Sequence, residues 1–267
     1  MGDTARGSFA RRFGATFAAG LPGVAALVAW VYGTTDAADV PVELTATTYA
    51  VLSAVNPLLL LAASCAVGAY AAPRVGFESH LTRRVERGDA VWPRLREEVR
   101  LAVGLGLAGS VAVVLVDVAL APFVAQDLAA LGADAGTLGG VLAYVPVRFL
   151  YGGVTEELLL RYGVMSAVAF AGWRLRGSPA AGPSRGVAWA AIVVAAALFG
   201  VGHLPALAAS VALTPALVAR TVLLNAVAGV VFGWLFWRRS LEAAVVAHAT
   251  FHVPLVLLSL AQVALAA

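Results

Sequence analysis

Lysine is absent from this 267-residue chain, cysteine occurs once, and charged residues make up only 12% of it. That shortage of charge excludes an ordinary soluble domain, in which about a quarter of residues are charged. The single cysteine, Cys65, excludes an intramolecular disulfide and a cysteine-based metal cluster. It lies in an apolar run and reads as a small hydrophobe. With no lysine, all 18 basic residues are arginine, and the formal net charge is +3. The arginines fall between apolar runs, as membrane topology requires, so nucleic acid is not expected as a partner. The sequence also shows no internal repeat, no low-complexity tail and no soluble domain.

What remains is apolar: 61% of residues are hydrophobic and the mean hydropathy is +0.89. The expected fold is all-α, a polytopic transmembrane helical bundle of seven or eight membrane segments around a polar intramembrane cavity. The spans are read near 13–33, 46–72, 101–125, 138–173, 187–207, 214–237 and 241–264. Acidic loops without a base, Asp36, Asp39 and Glu43 in one and Asp127 and Asp134 in another, belong outside. Arg74, Arg83, Arg84, Arg87, Arg94, Arg96 and Arg100 place the segment Pro73–Arg100 inside, together with the N-terminus. A surface helix is expected near 77–88, with Leu81, Val85 and Trp92 on the interface and His80 solvated. The apolar run 138–173 would be roughly 54 Å long as an α-helix, against a hydrocarbon core of about 30 Å. It must break, tilt steeply or leave the membrane, with Gly152-Gly153 and Gly163 as hinges. Two parts are distinguished: 1–130, membrane helices with the basic segment, and 131–267, the core that carries chemistry.

Ionisable groups inside apolar runs mark a functional path or a paired structural site. Here they are Asp117, Arg148, Glu156, Glu157, Arg161, His203, Arg220, His248 and His252, with Glu242 near an interface. On an α-helix Glu157 and Arg161 are four apart and share a face, while Glu156 points about 100° away. Glu156 is therefore the candidate general base and Glu157 the structural acid, although the reverse assignment stays open, as does a network in which both acids only lock helices. His248 and His252, also four apart, can present two imidazoles to one metal, but no Glu follows His248, so the soluble zinc-protease signature is absent. Asn225 is either a spare donor or a structural hydrogen bond. Counting along the helices, His203 lies about 24 Å from residue 187 and His248 about 12 Å from Ser240, so convergence needs tilt or a dipping loop at Arg238–Glu242.

The order Glu-Glu-x-x-x-Arg (Glu156, Glu157, Arg161), Phe-x-x-x-His (Phe199, His203) and a late histidine (His248) resembles the CAAX protease and bacteriocin-processing family of intramembrane endopeptidases, over roughly residues 140–260. The resemblance implies hydrolysis of a peptide bond near the membrane surface in a peptide or membrane-protein substrate. It assigns Glu156 to activating water, His203 to assisting or holding a metal, His248 to the other side of the scissile carbonyl, and Glu157 and Arg161 to support. Where the family closes its third motif with Asn, this chain has His252, which leaves that residue's oxyanion role open against metal binding. Zinc or another divalent metal on Glu156, His203, His248 and His252 is one implied mechanism, and a metal-free glutamate mechanism is the other. Two rival readings are a proton-coupled transporter using the same groups, and a non-catalytic scaffold or immunity protein.

Overall fold

The structure, a computed structural model, describes residues 2–35, 44–131 and 137–266. The acids Asp36, Asp39, Glu43 and Asp134 lie outside the described residues. The described residues form helices joined by short loops, with no strand among them. In order the helices are α1 (Gly2–Thr34), α2 (Ala46–Ser53), α3 (Val55–Ala71), α4 (His80–Arg87), α5 (Trp92–Leu120), α6 (Ala125–Leu131), α7 (Leu138–Pro146), α8 (Ser166–Leu175), α9 (Arg185–Gly202), α10 (Leu204–Ala208), α11 (Pro215–Arg238) and α12 (Leu241–Ala266). Seven helical stretches are long and apolar enough to cross a bilayer: 7–34, 46–74, 92–129, 138–175, 185–208, 215–238 and 241–266. The protein is an integral, multi-pass membrane protein. Leu115, Val118, Phe123, Leu59 and Leu257 are exposed, as side chains facing lipid must be.

The long run does not break at its glycines. Between α7 and α8 the chain stays helical but winds more widely, in the i→i+5 pattern, over Val147–Glu156 and Leu158–Met165. More residues per turn shorten the run somewhat, and the chain passes through 138–175 without a hinge at its glycines. Wide turns of this kind are rare, occur mostly singly, and gather at functional sites. The glycines expected to be hinges instead let neighbours approach. A Cβ on Gly163 would lie 2.6 Å from Ser64 Cβ on α3, and one on Gly153 only 3.4 Å from Ala249 Cβ on α12. Small residues at such crossings are what drive helix association where lipid offers no hydrophobic contrast. On the other side Thr155 donates its hydroxyl to the Gly20 carbonyl of α1 at 2.9 Å.

The wide segment is thus enclosed by α1, α3, α9, α11 and α12. Cys65, on α3, is fully buried in that packing and free. His80 corrects the sequence reading: it is only 3% exposed, because α4 folds down over the ends of α5 and α12 instead of lying on the surface. Leu81 and Val85 beside it are half-buried, and Trp92 is exposed.

Candidate active site

The wide segment contributes Glu156, Glu157 and Arg161. Arg161 and Glu157 pair at 3.0 Å, both without solvent exposure. The second guanidinium arm donates to the Gly229 carbonyl of α11 at 3.0 Å, and the cation lies over Phe199 at 4.8 Å and Phe232 at 5.3 Å. These contacts replace water around a charge that hydrocarbon cannot solvate. Arg161 therefore fixes Glu157, and Glu157 reaches a third helix: its Oε1 accepts from His248 Nδ1 of α12 at 2.8 Å.

Glu156 does not point into separate surroundings. Its Oε2 lies 4.0 Å from Nε2 of the same imidazole, so His248 stands between the two adjacent acids. The near-100° divergence expected of an α-helix is not what the wider winding gives. A separation of 4.0 Å is too long for a direct hydrogen bond and suits one bridging water. The acids differ in access, with the Glu156 side chain 18% exposed and that of Glu157 fully buried.

His203 caps the end of α9. Side chains tilt toward the N-terminus of their helix, and His203 folds back so that its Nδ1 lies 2.8 Å from the Phe199 carbonyl. Phe199 links the two histidines, its ring 4.9 Å from that of His203 and 5.7 Å from that of His248. At the start of α12, Ser240 is fully buried beside Glu98 of α5, while Arg238 and Arg239 before it are exposed, so the segment read as a dipping loop is buried only from Ser240 onward. This short path brings His248 level with the far end of α9.

His252, one turn beyond His248, stacks on it at 4.9 Å. Its ring nitrogens have no hydrogen-bond partner among the described residues. Nε2 lies 2.9 Å from where a Cβ on residue 152 would be, so Gly152 is the only residue type that leaves room for it. Arg148 stands apart from the acids, over the Tyr144 ring at 5.3 Å.

Proton positions follow from these partners. A carbonyl only accepts, so His203 carries its proton on Nδ1 and in the neutral form turns a lone pair at Nε2. His248 Nδ1 donates to a carboxylate already held by a guanidinium, so its Nε2 likewise presents a lone pair toward Glu156. His252 alone keeps an uncommitted ring N–H.

The other membrane-embedded polar groups serve packing. Arg220 Nε donates to Asp117 Oδ1 across α11 and α5 at 2.7 Å. Asn225 donates to the Thr221 carbonyl of its own helix at 2.8 Å, a structural bond. Among the described residues no three His, Cys, Asp or Glu side chains are grouped to hold a metal ion. The candidate set Glu156, His203, His248 and His252 does not fit an ion as placed, and no chemistry is routed through one.

Phe199 was legible as part of the Phe-x-x-x-His motif, but its packing against both histidines was not, and the place of Phe232 beneath Arg161 and His248 was missed. Also missed were Ser79, Glu98 and Ser240 as partners of Glu242 and His80, since Ser79 and Glu98 lie in a charged segment that reads as solvated.

Residues 138–253 match the family model described as Type II CAAX prenyl endopeptidase Rce1-like. That stretch contains every residue of the cluster just described. No curated protein and no solved structure matches the chain.

Proposed function

Because residues 138–253 belong to the Rce1-like type II CAAX prenyl endopeptidase family, we propose that this membrane protein cleaves peptide bonds by a glutamate-activated water held between Glu156 and His248. The observation that carries this reading is one imidazole addressed by two neighbouring carboxylates, 2.8 Å from Glu157 and 4.0 Å from Glu156.

In this mechanism Glu156, the more accessible acid, takes a proton from the bound water while His248 Nε2 accepts its second hydrogen bond. The hydroxide attacks the scissile carbonyl carbon, and the carbonyl π electrons move onto its oxygen. Collapse of the tetrahedral intermediate breaks the C–N bond, and Glu156 returns its proton to the leaving amine. Glu157, pinned by Arg161, holds the His248 tautomer that makes Nε2 an acceptor. Neutral His203 and His248 have already committed their N–H groups, so His252 supplies the uncommitted donor for the oxyanion, the task that Asn performs in the family pattern. His203 borders Glu156 as a second acceptor.

The test is cleavage of a peptide library by the purified protein in nanodiscs, read by mass spectrometry. Glu156→Gln and His248→Ala are expected to lower turnover by about 10²- to 10⁴-fold, with the melting transition retained. Full turnover in Glu156→Gln would refute the assignment, and normal biological function in a Glu156→Gln/His248→Ala double variant would favour a non-catalytic scaffold.

A further inference from the structure

The helix that presents His248 and His252 starts at Leu241, beneath α4, where the chain buries a second polar cluster that the mechanism does not use. Glu242, in the first turn of α12, gives both carboxylate oxygens to α4. Oε1 accepts from Ser79 Oγ and from the Leu81 amide, and Oε2 from the His80 amide, each at 2.8 Å. The two amides are first-turn backbone donors that α4 itself cannot satisfy. The Leu241 amide answers by donating to the Glu78 carbonyl at 2.9 Å. His80 Nε2 lies 3.1 Å from Glu98 Oε2 of α5, and the same oxygen accepts from Ser240 Oγ. At the opposite end of α4, Glu86 pairs with Arg12 of α1. Eight residues of α4 thus fasten α1, α5 and α12, and of these α1 and α12 both lie against the wide segment.

We propose that α4 is a clasp that fixes the axial setting of α12, with Glu242, His80, Glu98 and Ser240 as positioning residues for His248. The packing of α12 leaves this task to the clasp. Gly106 of α5 lets the two backbones meet at Ala247, beside His248, which blocks sideways movement but not sliding. Two turns of helix from Leu241 to His248 transmit a slide almost undiminished, and one residue of slip is about 1.5 Å. That is enough to misalign Nε2 and Glu156 about a shared water. A misplacement of about 1 Å lowers turnover by roughly 10²-fold.

The setting of α12 is measurable without activity. In a Cys65→Ala background, cysteines at Gly153 and Ala249 bring together Cβ positions 3.4 Å apart, within disulfide reach, across the wide segment and α12. A reference pair, Gly172→Cys with Val187→Cys, has Cβ positions 3.7 Å apart between α8 and α9, away from the clasp. Glu242→Ala is expected to slow oxidation of the first pair relative to the reference by at least about tenfold, and in the cysteine-unmodified protein to lower kcat while leaving KM within about twofold. Ser240→Ala should give a smaller effect in the same direction and serves if Glu242→Ala does not fold. Unchanged relative oxidation in a folded Glu242→Ala, or in Ser240→Ala where that replaces it, overturns the proposal.

The kinetic arm rests on the peptidase reading and the oxidation arm does not. Slowed oxidation in a protein that cleaves nothing upholds the clasp and removes the peptidase. Normal oxidation with normal cleavage removes the clasp alone.

Discussion

The bundle buries two clusters in which a histidine meets carboxylates, and both involve α12. Around His248 the bonding is left incomplete: Glu157 Oε2, Arg161 Nε and both nitrogens of His252 have no partner among the described residues. Around His80 it is nearly complete, with Glu242 accepting three hydrogen bonds and Glu98 two. Buried polar groups normally find partners, so an open valence is a strained state tolerated where something else is to bind. The first cluster leaves several atoms free, as the proposed function requires, whereas in the second only His80 Nδ1 lacks a partner among the described residues and the other bonds join helices. Composition does not separate them; saturation does.

The sharpest way to break this contrast is at Arg161. Arg161→Met strands Glu157 in an apolar interior and is expected to destabilise the fold by about 3–5 kcal/mol, seen as a large fall in thermal midpoint. Arg161→Met combined with Glu157→Gln should recover much of the stability, yet not the activity, because His248 then loses its orienting carboxylate. Equal stability in the single and double variants would mean that the pair is not coupled.

A smaller effect is expected at Gly152. Gly152→Ala places a methyl group 2.9 Å from His252 Nε2, displacing the proposed oxyanion donor. Turnover should fall by about 10²-fold, as for loss of one such donor, with KM nearly unchanged. His252→Asn, which restores the family residue, should retain activity.

The clasp has its own signature in pH. Burial opposes the His80 imidazolium, but the Glu98 hydrogen bond and the charges of Glu242, Glu98 and Glu78 outweigh that and raise its pKa above the ordinary value. A raised folded pKa gives stabilisation that is fully present below about pH 6.5, the unfolded value, and is lost as pH rises through the folded one. The thermal midpoint should therefore fall as the pH rises above about 6.5, and fall less in His80→Gln. Identical slopes would show that His80 does not contribute its charge.

The least effect is expected at Asp117–Arg220, where the two side chains are 38% and 17% exposed. Asp117→Asn should leave peptide turnover nearly unchanged, because the pair ties α11 to α5 and touches none of Glu156, Glu157 or His248. A transport relay would instead lose function there, and solute flux in proteoliposomes measures it.

Much of this architecture was legible. The seven spans followed from apolar runs bounded by arginine or acid, and the Glu157–Arg161 pair from a four-residue spacing that survives in the wider winding. His248 on Glu157 was not legible, since nothing local links residues 91 apart. The position of His80 was hidden for the same reason: α4 is charged enough to read as solvated until Glu98 and Glu242 arrive from elsewhere. The excess length of 138–175 was visible, but its wider winding was not, because glycines that favour a hinge equally favour close packing.

That winding has a consequence of its own. The backbone angles flanking this winding are ordinary right-handed helical ones, so an α-helical state of the same segment is sterically open to it. Rewinding would swing both acids relative to the imidazole while altering no side chain. For the peptidase proposed above, the register of acids and imidazole is thus written into the main chain as well as into the side chains.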